Sequence, residues 1–141
     1  MSFKPAVFLV AAAAMVFVPA AALAAHGKAG LWSSTTTVTM PNMPPQSHTA
    51  TYCMTPQQVV SDTPVADPRS GCTYSNVQVT GRTMSADMIC KGQMNATGRF
   101  TATYDSDTHY NARIDIAMQG MNMTNTIEGH WMKADCAGAE H

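Results

Sequence analysis

Two side-chain types in this sequence could do chemistry by their number and spacing: methionine and cysteine. There are 12 methionines in 141 residues. A thioether is a soft donor, and Met118-x-x-Met121-x-Met123 and Met40-x-x-Met43 are spacings from which a Cu(I) site could be built. The competing role is core filling, because methionine is flexible and packs irregular gaps. Strand alternation puts Met84, Met88, Met94, Met118 and Met123 on one apolar face and leaves Met40, Met43 and Met121 near loops. Core filling is therefore the expected role, and no metal or other cofactor is assigned. The soft-metal alternative would use Met118, Met121, Met123, Met40, Met43 and His26. Cleavage after Ala24 would leave a free amine beside His26, a weak copper-chelating pair.

The histidines, His26, His48, His109, His130 and His141, match no His-Glu-x-x-His or other ligand spacing. Each is read as a solvated or strand-surface side chain. Asp105-Ser106-Asp107 lacks the further oxygen ligands of a cation loop and reads as a hairpin turn. Asn95-Ala96-Thr97 and Asn122-Met123-Thr124 match the glycosylation sequon, which matters only in a eukaryotic secretory route. No Gly-x-Ser-x-Gly, phosphate-binding loop or dinucleotide fingerprint is present. No pair of carboxylates sits in an apolar setting that would raise a pKa. No catalytic residue is named, and the expectation is a protein that is not an enzyme.

The compartment follows from the N-terminus and the cysteines. Lys4, the apolar run from Ala6 to Val18, Pro19 and Ala22-Leu23-Ala24 read as a cleavable signal peptide over residues 1–24. The run is shorter than the roughly 20 residues needed to span a bilayer, and no later segment is apolar enough. Residues 25–141 are then one periplasmic or secreted domain with no transmembrane segment. Lys and Arg number 8 against 9 Asp and Glu, with no basic run, so nucleic acid and anionic membrane surfaces are not expected partners.

Those residues read as strands and turns. Thr- and Val-rich segments place strands at Gly30–Met40, His48–Cys53, Cys72–Thr80, Thr83–Cys90, Met94–Tyr104, His109–Gln119 and Asn122–Met132. Thr55-Pro56-Gln57-Gln58 starts one short helix after the second strand. Turns at Gly81-Arg82, around Gly92, at Asp105–Asp107 and at Gly120-Met121 set the registers. They pair Val79 with Met84, Met84 with Phe100, Tyr104 with Tyr110, and Met118 with Met123. Asp87, Arg99, Thr101, Arg113, Asp115, Thr126 and Glu128 fall on the opposite face. The fold class is all-β: an antiparallel meander of about seven strands, curled into a small barrel or half-barrel. Small inner residues (Ala86, Ala96, Gly98, Ala112, Gly129) leave room either for larger neighbours or for a cavity.

Cys53, Cys72, Cys90 and Cys136 contain no Cys-x-x-Cys pair, and in an exported chain they read as two disulfides. Cys53 ends the second strand and Cys72 begins the third. If those strands pair, Cys53–Cys72 and Cys90–Cys136 are favoured. The rival, Cys72–Cys90 with Cys53–Cys136, requires a bulge to bring Cys72 onto the face of Cys90.

The chain resembles a family of exported bacterial proteins, domain of unknown function family 3617. The resemblance rests on Gly30-Leu31-Trp32 opening a Thr-rich strand, Met40-Pro41-Asn42-Met43-Pro44, Cys53-Met54-Thr55-Pro56-Gln57, Gly71-Cys72, Val77-x-Val79-x-Gly81, Met88-Ile89-Cys90, the Met118–Met123 segment and Asp135-Cys136. It departs at Gly129-His130-Trp131-Met132-Lys133, where family members carry a more basic segment. The resemblance implies an exported, β-rich, disulfide-bonded domain and no activity. Together these readings lead to a non-enzymatic binding domain whose partner is a small apolar ligand or an envelope protein.

Overall fold

The computed structural model describes residues 27–61, 71–92 and 95–139. The segment read as a signal peptide, His26, Met94 and His141 lie outside them. Among the described residues, seven strands and one helix follow in order: β1 (Gly30–Thr39), β2 (Gln46–Met54), α1 (Pro56–Val60), β3 (Cys72–Thr80), β4 (Thr83–Cys90), β5 (Ala96–Ser106), β6 (His109–Met118) and β7 (Met121–Lys133). The helix starts at a capping box: the Thr55 hydroxyl accepts from the Gln58 amide, and the Gln58 side chain accepts from the Thr55 amide.

One antiparallel sheet runs β2-β1-β7-β6-β5-β4-β3. This is a meander barrel opened at one seam. Strand β1 pairs with the last strand, β7, as closure requires, but β2 and β3 form the two free edges. The sheet is therefore curled and not closed.

That seam overturns the favoured disulfide pairing. Cys53 on β2 and Cys72 on β3 sit at opposite margins, and the bridges are Cys53–Cys136 and Cys72–Cys90. The bulge that the rival pairing required is present between Ser75 and Gln78, with Asn76 in the left-handed region at φ 49°. One extra residue there reverses the parity of the rest of β3, so Cys72 faces Cys90 directly. Asn76 tolerates this backbone, and its side-chain amide donates to Asp87 at 2.8 Å.

Two registers also differ from expectation, each by two residues. Met84 lies opposite Ala102, not Phe100, because the β4–β5 connection is longer than a tight turn. Met118 lies opposite Met121, and Met123 opposite Ile116, because the β6–β7 turn is Gln119-Gly120. Both turn residues have positive φ (43° and 81°), the backbone that suits a two-residue hairpin. The pairs Val79–Met84 and Tyr104–Tyr110 stand as expected.

The inner face is filled most densely at the end where β1 begins. Trp32 is fully buried, and its indole donates to the Lys28 carbonyl at 2.8 Å. Tyr104 and Tyr110 pack against it at ring distances of 6.3 and 5.6 Å, and Met54, Ala102 and Ala112 complete the cluster. Tyr52, Trp131 and Val59 of α1 close over that cluster. Larger neighbours take up the space left by small residues: Met88 packs over Gly98, and Tyr110 over Gly129. No helix among the described residues is long and apolar enough to cross a membrane.

Candidate functional site

The opposite end of the sheet gathers Met118, Met121, Met123 and Met40. Met118 and Met121 face each other across the β6–β7 turn, and Met123 follows on β7. Thr39 pairs with Thr124, so Met40 continues the β1 register toward Met123. Met43 and Met121 are exposed, at 47% and 56%. Of the methionines assigned to the apolar face, Met84 and Met88 are buried, while Met118 and Met123 are half-buried.

Beneath this rim the inner face stays half-open. Val38, Ile114, Ile116, Met118, Met123 and Ile127 are neither buried nor fully exposed. Asn125 sits among them, opposite Ile114 on β6 and Val38 on β1. Its Oδ1 is shielded from water and accepts no hydrogen bond. Leaving such an acceptor unpaired costs about 1–3 kcal/mol.

The outer face carries charge. A shallow depression of about 560 Å³ is lined there by residues that include Asp87, Asp115 and Thr124. Its carboxylates are engaged. Asp87 is held below the usual carboxylate range first by Asn76 and then by Arg99, whose guanidinium is 2.8 Å away. Asp115 is lowered chiefly by Arg113, 2.6 Å away. Carboxylates fixed as anions by paired cations are poor proton-transfer groups near neutral pH.

A second outer-face constellation sits near the aromatic end, on residues that the sequence pattern left as ordinary surface. His109 and His130 are a direct cross-strand pair, with ring centroids 4.5 Å apart. Glu128, two residues before His130 on the same face, places Oε1 3.2 Å from His109 Nε2 and 3.4 Å from His130 Nε2. Asp105 approaches His109 Nδ1 to 2.7 Å. It is the extra residue of a β5 bulge between Tyr104 and Ser106, and the bulge brings its carboxylate to the imidazole. Asp105 first and Glu128 second raise the pKa of His109, because both hydrogen-bond the imidazolium. Glu128 is lowered in turn, mainly by His109.

The available signal for this cluster was the β6–β7 register. If Met118 faced Met123, His109 would lie opposite Met132; the observed two-residue shift puts it opposite His130. His48 lies away from the group, on β2.

A family model matches residues 27–136, a span that includes all seven strands and both disulfides. The chain belongs to the DUF3617 family, described as a protein of unknown function. No curated protein and no solved structure matches it. In this DUF3617 member all four cysteines are bridged, the state of a protein held outside a reducing cytoplasm.

Proposed function

We propose that this DUF3617 member is an exported, non-enzymatic binding domain whose half-open inner face takes a small apolar molecule bearing one hydrogen-bond donor. The observation that carries this reading is Asn125 Oδ1, an unpartnered acceptor shielded from water on a residue whose cross-strand partners are Ile114 and Val38. A donor on the bound molecule relieves that cost, and Val38, Ile114 and Ile116 supply apolar contact. The aromatic end is packed, so entry is from the methionine rim, whose flexible side chains can move aside. Export is supported by Lys4, the Ala6–Val18 run, Ala22-Leu23-Ala24 and the paired cysteines. The absence of catalysis is supported by bridged thiols and ion-paired carboxylates.

Native mass spectrometry of protein purified from its own envelope tests the proposal. The expected spectrum carries a small-molecule adduct on the wild type, lost in a folded Asn125→Leu variant. Bare polypeptide from the wild type overturns the small-molecule reading, and a protein adduct replaces it with an envelope partner.

One observation favours a second reading, soft-metal binding: the direct Met118–Met121 pair with Met123 and Met40 at the same end. Cu(I) is the ion that thioethers select. A Cu(I) competition titration of the wild type and the Met121→Leu/Met123→Leu protein tests it. Tight binding lost in a stable double variant establishes the site; equal uptake by both removes it.

A further inference from the structure

We propose that His109, Glu128 and His130 form a site for a borderline divalent transition ion of the zinc class, with Asp105 as the outer partner of His109. This inference is independent of the inner-face reading, because the four residues lie on the other face of the sheet.

The donor set is the first argument. Two imidazole nitrogens and a carboxylate oxygen converge, and the three ligand atoms lie within 4.8 Å of one another. A tetrahedral ion with bonds of about 2.0–2.2 Å holds its ligands roughly 3.3–3.6 Å apart. The two imidazole-to-carboxylate separations, 3.2 and 3.4 Å, are already of that size. The His130 and Glu128 side chains are exposed and free to rotate toward His109 to bring in the third pair.

The outer partner is the second. Metal-bound histidine commonly donates its remaining N–H to a carboxylate, which fixes the tautomer and aims the free lone pair. Asp105 is placed to do this at Nδ1, 2.7 Å away. With that proton on Nδ1, the Nε2 lone pair of His109 points at an anionic oxygen of Glu128 and beside the His130 ring. In the metal-free protein a proton on Nε2 serves this contact, donating to Glu128 Oε1 3.2 Å away, and a bound cation would take that proton's place.

Placement on the fold is the third. His109 opens β6, Glu128 and His130 stand on β7, and the Tyr110 ring covers Gly129 between them. The backbone that carries two of the ligands is therefore clamped from the core side. Imidazole with carboxylate suits Zn²⁺ and its neighbours, not Cu(I), so this site and a methionine site would sort ions by softness. Three protein ligands leave a fourth position open to water or an exogenous ligand.

The test is calorimetric titration of ZnCl2 into chelator-treated, disulfide-bonded protein, with a thermal melt on each sample to verify folding. The expected result is one Zn²⁺ per chain and a melting point raised by zinc. Both effects should be lost in His109→Ala and in His130→Ala and retained in His48→Ala. Asp105→Asn, which keeps all three ligands, should weaken zinc by about 10–100-fold. The proposal is overturned if the wild type takes up no zinc, if both histidine variants bind as the wild type does, or if calcium binds equally well.

Discussion

Tyr110 lies across Gly129, its ring filling the space that a side chain at position 129 would need. The two residues are cross-strand partners, so the contact ties β6 to β7 on the core side. The same ring touches Trp32 and Tyr104, and its hydroxyl oxygen accepts a hydrogen bond from the Tyr52 hydroxyl at 3.2 Å. Gly129→Ala must displace it and should lose about 1–3 kcal/mol of stability in a urea melt, as overpacking does. In a Tyr110→Leu background the same change should cost less, because the obstructing ring is gone. Equal penalties in both backgrounds would contradict the contact.

The four tyrosines, Tyr52, Tyr74, Tyr104 and Tyr110, all have hydroxyls raised above the ordinary value of 10.0, in each case chiefly by burial. An unfolded chain releases these protons as pH passes about 10, while the folded chain retains them. The unfolded state then binds fewer protons, so stability falls as pH rises. Phenolate absorbance near 295 nm should therefore appear together with loss of the β-sheet circular dichroism signal. A full phenolate step in still-folded protein counts against the packed aromatic end.

The two disulfides should differ in weight. Their sequence separations are 83 for Cys53–Cys136 and 18 for Cys72–Cys90. On the loop-entropy account, removing the first costs about 4.5 kcal/mol and removing the second about 3 kcal/mol, each taken alone. Paired Cys→Ala variants in urea measure this, and unreduced peptide mapping should recover the Cys53–Cys136 and Cys72–Cys90 peptides.

Among the methionines, burial predicts rank. Met84 is 3% exposed, so Met84→Ala should cost about 2–5 kcal/mol. Met118→Leu, at a half-buried site, should cost less than about 1.5 kcal/mol. Met121→Leu, on an exposed turn, should stay within about 0.5 kcal/mol of the wild type. Denaturant midpoints of the three variants check the order.

Asn125→Leu removes the unpartnered acceptor and should stabilise the protein by about 1 kcal/mol in a urea melt. A marked loss of stability would show that the amide already serves the apo fold.

Much of the fold was legible because alternation reports which face a side chain takes. Asp87, Arg99, Arg113 and Asp115 went to the outer face, and Met84, Met88, Ala102 and Ala112 to the inner, as expected. The same signal is blind to a shift of two residues, which preserves every face while changing every partner. Gln119-Gly120 and Gly120-Met121 are equally acceptable turns to that signal, yet only the first puts His109 beside His130. The β1–β7 pairing joins the two ends of the domain and has no local signature. The Cys72–Cys90 bridge hinged on one bulged residue, Asn76, whose tolerance of positive φ was the available clue. Asn125 could not be singled out, since an asparagine in a strand reveals nothing about its partners.

Both bridges have one foot on a margin strand, Cys53 on β2 and Cys72 on β3. An open sheet frays from its outermost strands inward, where backbone groups are paired on one side alone. Here each hem is stitched, β3 to its neighbour and β2 to the segment that follows β7. A reductant cuts both stitches while leaving the strands between them intact. Amide exchange after reduction should therefore spread from β2 and β3 toward β6, the strand farthest from either margin.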